Sequence, residues 1–139
     1  MLHQASCVSI GGRGLMIEGA PGSGKSALAL ALIDRGATLV GDDGVLLERR
    51  GPALVAAPPP AIRGKFEIRN VGIVDLPVTT APVSLILRLD TAAPRFVEAA
   101  GAVTMLGIAV PLLAFAIDPV ASAVRAEHAL RVHGMQAEN

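Results

Sequence analysis

The chain has 139 residues, with twelve basic against twelve acidic side chains, 52% hydrophobic residues and 2% aromatic. That length suits one domain with a hydrophobic core of its own. The charge balance gives no electrostatic case for nucleic acid or an anionic membrane surface, and three aromatics (Phe66, Phe96, Phe115) supply no base-stacking platform.

Cys7 stands alone, which excludes an intrachain disulfide and fits a reducing cytoplasm, with Cys7 as a small buried side chain. Near the start lie polar His3 and Gln4, with no basic segment before a long apolar run, so no signal peptide is expected.

Residues 8–10 and 15–18 read as two strands around a tight Gly11-Gly12-Arg13-Gly14 turn. A helix rich in Ala and Leu is predicted over about 24–35, ending at Gly36. Leu39-Val40 continues as a short strand that stops at Gly41-Asp42-Asp43. Residues 45–48 form another strand, followed by a turn at 49–52 and a further strand near 53–56. Pro58-Pro59-Pro60 is a stiff extended connector. Residues 83–89 read as a buried strand and 95–100 as a short helix or turn. The uncharged stretch 99–117 is nominally long enough for a bilayer, but Gly101, Gly107 and Pro111 interrupt it and no basic flank orients it. Two short buried elements joined near Gly107 are the better reading, with the second, 108–117, one or two strands broken at Pro111. Asp118-Pro119 then reads as N-cap and first residue of a last helix running to about His133. No repeat or linker divides the chain, so residues 1–139 are expected to form a single α/β domain.

The chemistry concentrates in Gly19-Ala20-Pro21-Gly22-Ser23-Gly24-Lys25-Ser26, a G-x-x-x-x-G-K-S loop between an apolar strand and an apolar helix. Its glycines let backbone N–H groups converge on an anion, and the helix adds its positive dipole end. Lys25 can reach the β- and γ-phosphates of a nucleoside triphosphate, and Ser26 can offer its hydroxyl to magnesium. The spacing then draws Asp42 and Asp43 toward the same place. The helix runs about 17 Å away from the loop, and the following strand returns about 18 Å. One carboxylate there suits magnesium and the other a proton from an attacking hydroxyl.

Further on, Glu67-Ile68-Arg69 alternates so that Glu67 and Arg69 share a strand face, joined by Asp75 if no bulge intervenes. On its own this is an ordinary surface pair, just as His3 alone is an ordinary terminal histidine.

Together these pieces resemble the catalytic C-terminal domain of the HPr kinase/phosphorylase family. The resemblance is carried by His3 in His-x-x-x-x-Val, residues 19–26, Val40-Gly41-Asp42-Asp43, Ala57-Pro58, and the run Glu67-Ile68-Arg69-Asn70-Val71-Gly72-Ile73-Val74-Asp75-Leu76. It covers about residues 3–90. It implies a mixed sheet with helices largely on one side, similar to phosphoenolpyruvate carboxykinase, and usually a hexamer. It also implies an ATP- and magnesium-dependent kinase acting on a serine of the small phosphocarrier HPr. Lys25 would bind the phosphates, Ser26 and Glu67 would ligate magnesium with Asp42 supporting, Asp43 would be the general base, and His3 would sit beside Asp43. The alternatives are a kinase of another substrate on the same core, or a nucleotide-binding regulator with weak catalysis.

The chain also departs from the family. It looks like the short form without the additional N-terminal domain, Asn70 replaces a usual Gly, and the connector 77–82 is short. The later arginine element has no clear match, Arg95 being nearby but displaced, and apolar residues near 115–120 replace a lysine-bearing element. Arg69 is then the cation expected to assist at the site, and dephosphorylation is not expected to be prominent.

Overall fold

In the computed structural model the described residues are 1–136. The chain opens with β1 (Leu2–His3), β2 (Ser6–Ile10) and β3 (Arg13–Glu18), and the ten-residue helix α1 (Lys25–Asp34) follows. Next come β4 (Thr38–Gly41), β5 (Val45–Arg50), β6 (Ala53–Ala57), and a 3₁₀ turn at Pro60–Ile62. A small hairpin, β7 (Lys65–Ile68) with β8 (Gly72–Asp75), precedes the long strand β9 (Ala81–Leu89). A second hairpin, β10 (Gly101–Met105) with β11 (Ile108–Phe115), leads to α2 (Ser122–His133).

Nine strands form one sheet: seven in the order β1-β5-β6-β9-β3-β2-β4, with β11 and then β10 branching off at β9. The first residues of β9 pair antiparallel with β6, whereas its last residues run parallel to β3 on one edge and to β11 on the other. Both helices pack on one face. Leu28, Ala29 and Leu32 of α1 and Ala126, Ala129 and Leu130 of α2 share a core with Leu15, Ile17, Leu85 and Leu87. The opposite face holds a second core, with Met16 and Ile86 against Val45, Leu47, Leu54 and Val110. The mixed α/β fold with helices on one side is therefore as the sequence implies.

Locally, the Gly11-Gly12 turn has φ of 59° and 84°, as a two-residue hairpin between right-twisted strands requires. Helix α1 buries positions 25, 28, 29 and 32, one stripe at helical spacing, and ends before Gly36 at φ 112°. Cys7 is buried in β2 and its thiol is pushed up to about 12 by that burial, which makes it an inert packing residue.

Three elements differ from expectation. Residues 108–115 form one strand through Pro111, which pairs with Ala102 of β10 and stands one residue before the ladder to β9 begins at Leu112. Its partner β10 lies largely exposed, so only the second element of that pair is buried. The last helix starts at Ser122, not at Asp118-Pro119. Asp118 instead accepts the backbone N–H groups of Val120 and Ala121 at 2.9 and 2.5 Å, closing the turn that precedes the helix. Those bonds, with Arg125 beside it, hold the Asp118 carboxyl below the usual carboxylate range. Of the two alternatives for 95–100, the helix is absent, and the chain bends at Arg95 and at Glu98-Ala99. Among the described residues no helix is long and apolar enough to cross a membrane.

The β7–β8 hairpin is a separate two-stranded sheet, and Phe66 ties it to the helix-side core, with Ile68 and Val74 packed alongside. Phe66→Ala is expected to destabilise the protein by about 3–5 kcal/mol through the cavity left behind. Urea unfolding measures it; a loss below about 1 kcal/mol would mean the hairpin does not share the cooperative core.

Candidate active site

Strand direction gathers the polar residues at one end of the sheet. β3 and β9 are parallel and end at Glu18 and Leu89; β2 is antiparallel to β3 and begins at Ser6, paired with Ile17. β4, antiparallel to β2, ends at Gly41 opposite Cys7. The glycine-rich loop 19–24 leaves this end from β3, and the Asp42-Asp43 turn leaves it from β4.

The loop is built on two conformational demands. Gly24, the residue before α1, has φ 106°, which disfavours any side chain. A side chain at Gly19 would press on Ser23, since its Cβ would lie 2.5 Å from Ser23 Oγ. Ser23 N–H donates to Ala20 O at 3.0 Å, which closes the loop on itself. Its hydroxyl is buried with no hydrogen-bond partner among the described residues. Such an orphan costs free energy unless a ligand satisfies it. No side chain caps α1, so its first-turn N–H groups remain available to an anion. Both observations fit a phosphate group in this loop.

Lys25, the first residue of α1, is buried and folds its ammonium back over the loop. Nζ donates to Gly19 O at 2.8 Å and Ala20 O at 3.5 Å, and lies 3.7 Å from Asp43 Oδ1. Ser26 Oγ donates to Asp42 Oδ1 at 2.6 Å. The loop and the acidic pair therefore meet, as the helix-out, strand-back geometry predicts. Ser26 and Asp42 together offer hard oxygen ligands suited to magnesium. Asp43 is different: its side chain is 58% exposed, with φ 56° in the left-handed region. It points a carboxylate outward beside the lysine, where an incoming hydroxyl can reach it.

Ser6 escaped the sequence reading. It is fully buried, its Oγ donates to Asp42 Oδ1 at 3.1 Å, and it accepts the Asp43 backbone N–H at 3.2 Å. One hydroxyl thus fixes both members of the acidic turn. A serine at the start of a buried strand was its only mark.

The other expected members make different contacts. His3 Nε2 bonds Glu18 Oε2 at 2.7 Å rather than Asp43, because β1 pairs with β5 and faces the end of β3. Glu67 faces outward on the hairpin with Lys65, Ile73 and Asp75, and makes no hydrogen bond or ion pair among the described residues. Asp75 does share that face, and it pairs with Lys65 at 2.6 Å. No group of three or more His, Cys, Asp or Glu among the described residues gathers closely enough to hold one metal. Arg69 does not share Glu67's strand face. The strand ends at Ile68, whose carbonyl accepts Val71 N–H at 3.0 Å in a tight turn through Asn70 at φ 65°. Asparagine tolerates that conformation, which accounts for Asn70 where the resemblance expects Gly.

Comparison with known proteins identifies a family. The family described as the HPr Serine kinase C-terminal domain matches residues 1–80. The HPr kinase/phosphorylase of Chlorobium phaeobacteroides is 41% identical over 75 residues, 53% of this chain and 22% of that protein. That of Nitrosomonas europaea is 48% identical over 66 residues, 47% of this chain and 20% of that protein. The chain thus spans about a fifth of the length of these curated relatives. The structure of the HPr(Ser) kinase/phosphatase from Coxiella burnetii superposes with a TM-score of 0.79 at 30% identity, covering 94% of this chain and 92% of that one.

Proposed function

The chain belongs to the HPr serine kinase C-terminal domain family, and from that premise we propose that it transfers the terminal phosphate of ATP to a serine of an HPr-type phosphocarrier. The observation that carries the reading is the contact between the two motifs: Lys25 with Asp43, and Ser26 with Asp42, at the open end of the sheet.

Residues 19–26 would cradle the triphosphate, with Ser23 Oγ and the first N–H groups of α1 as donors and Lys25 on the outer phosphates. Ser26 and Asp42 would hold magnesium, which when bound neutralises charge developing on the phosphates. Glu67, exposed on the β7–β8 hairpin, would be the further carboxylate ligand that the family resemblance implies. Asp43 accepts the proton of the serine hydroxyl as its oxygen bonds the terminal phosphorus and the bond to the departing ADP oxygen breaks. Lys25 lies 3.7 Å from Asp43 Oδ1, a positive charge that aims the carboxylate at the incoming hydroxyl. Chemistry of this kind needs little from a protein beyond position and charge.

The reverse attack of inorganic phosphate needs further cations against anion repulsion, roughly 4 kcal/mol per close pair at an effective dielectric near 20. Arg69 sits in an exposed turn and Arg95 lines a cavity with Phe96 and α2, away from the loop. The forward direction is therefore favoured. Assembly into a homo-oligomer, the hexamer of the family, and a cytoplasmic location belong to the same proposal.

The test is ATP consumption by the purified protein with magnesium, with and without an HPr-type carrier. ADP formation should depend on the carrier, and pyrophosphate release from the phosphorylated carrier with excess phosphate should be much slower. ADP formation at the same rate without the carrier would overturn the reading.

A further inference from the structure

On the side of the loop away from the helices, three charged or titratable groups stand in a row. Glu18 is the last residue before the loop and Arg88 its directly paired neighbour on β9. Leu85 and Leu87 face the helices and Ile86 the opposite core, so Arg88 by alternation faces away from the helices, as Glu18 does after Ile17. Arg88 grips Glu18 Oε1 with Nε at 3.3 Å and Nη2 at 3.0 Å, while His3 takes Oε2 at 2.7 Å. Glu18 is mostly buried, at 14% side-chain exposure, whereas Arg88 is 53% exposed. Two Arg88 nitrogens are thus spent on orientation and the rest of the fork is open.

That fork faces a cavity of about 520 Å³ lined by His3, Glu18, Arg88 and Met105 and floored by Gly19 and Ala20. Gly19 and Ala20 are the residues whose carbonyls receive the Lys25 ammonium. The cavity therefore opens at the Lys25 end of the loop, where the outermost phosphates belong. It also lies at the carboxyl ends of parallel β3 and β9, the edge at which sheets of this class place ligands.

Resting on the nucleotide reading above, we propose that Arg88 binds the terminal phosphate of the nucleoside triphosphate, with Glu18 as its positioning residue. The mostly buried Glu18 carboxylate would repel that phosphate if unpaired, and Arg88 both offsets it and presents a planar fork suited to phosphate oxygens. The apolar strand 83–89 has no other charged residue, so nothing else on β9 can take this place.

Magnesium-ATP and magnesium-ADP titrated calorimetrically into wild type, Arg88→Ala, Arg88→Lys and Glu18→Gln/Arg88→Ala test the assignment. Arg88→Ala should weaken ATP about tenfold, the scale of a lost charged hydrogen bond, and ADP less than about twofold. Arg88→Lys should restore only part of the ATP affinity, because an ammonium lacks the fork. The double variant should bind ATP better than Arg88→Ala, since it removes the carboxylate charge that Arg88 no longer offsets. ATP affinity in Arg88→Ala within about twofold of wild type, or equal losses for ATP and ADP, would overturn the proposal. Lys25→Ala separates the two levels of inference: it should weaken both nucleotides. A wild-type protein that binds neither nucleotide overturns the underlying reading instead.

Discussion

Asp43→Asn is expected to keep nucleotide binding and lose phosphoryl transfer by about 10² to 10⁴, the usual scale for an absent general base. The substitution is nearly isosteric, and asparagine accepts the left-handed backbone at φ 56° that would strain most residues. The Asp43 N–H bond to Ser6 Oγ is a backbone bond and survives. What disappears is the exposed carboxylate beside Lys25. Steady-state transfer rates with saturating ATP measure the loss. If Asp43→Asn kept near-normal transfer while Asp42→Asn lost it, the base would be Asp42 and the roles would exchange.

Lys25→Ala is expected to cost about 10² to 10³ in transfer, as for other removed donors to transition-state charge, and to weaken ATP as well. The ammonium is buried and held within the loop, so the protein cannot replace it with a mobile surface lysine. Asp43 also loses its only ion-pair partner among the described residues. Unfolding measured without nucleotide checks that the loop's collapse onto Gly19 and Ala20 carbonyls is not what fails. Undiminished ATP affinity with a folded protein would remove the loop from the nucleotide site.

The parts of this site carried by short segments were readable from the residues. The G-x-x-x-x-G-K-S spacing sets the loop, and the opposing lengths of α1 and β4 return Asp42-Asp43 to it. The Gly11-Gly12 hairpin and the helix stop at Gly36 follow from glycine's access to positive φ. What escaped depends on register between distant strands. Glu18 and Arg88 are seventy residues apart yet directly opposed, and no local pattern relates them. Ser6 meets Asp42 only because β2 lies between β3 and β4. His3 was expected at the site on resemblance, and the hydrogen bond it makes there, to Glu18, depends on β1 pairing with β5. Arg69 and Asp118 were misread for a different reason. Each stands where a side chain or backbone turn competes with continuing the regular element, and the turn won.

The central claim is that this chain moves phosphate from ATP to a serine, and the position of the label decides it. The protein is mixed with magnesium and ATP labelled on the terminal phosphate, together with an HPr-type carrier or its variant with the acceptor serine replaced by alanine. Label should appear on the intact carrier as an acid-stable phosphoester, require magnesium, and be absent from the alanine variant. Equal labelling of both carriers, or none on either with ATP demonstrably bound, would contradict it.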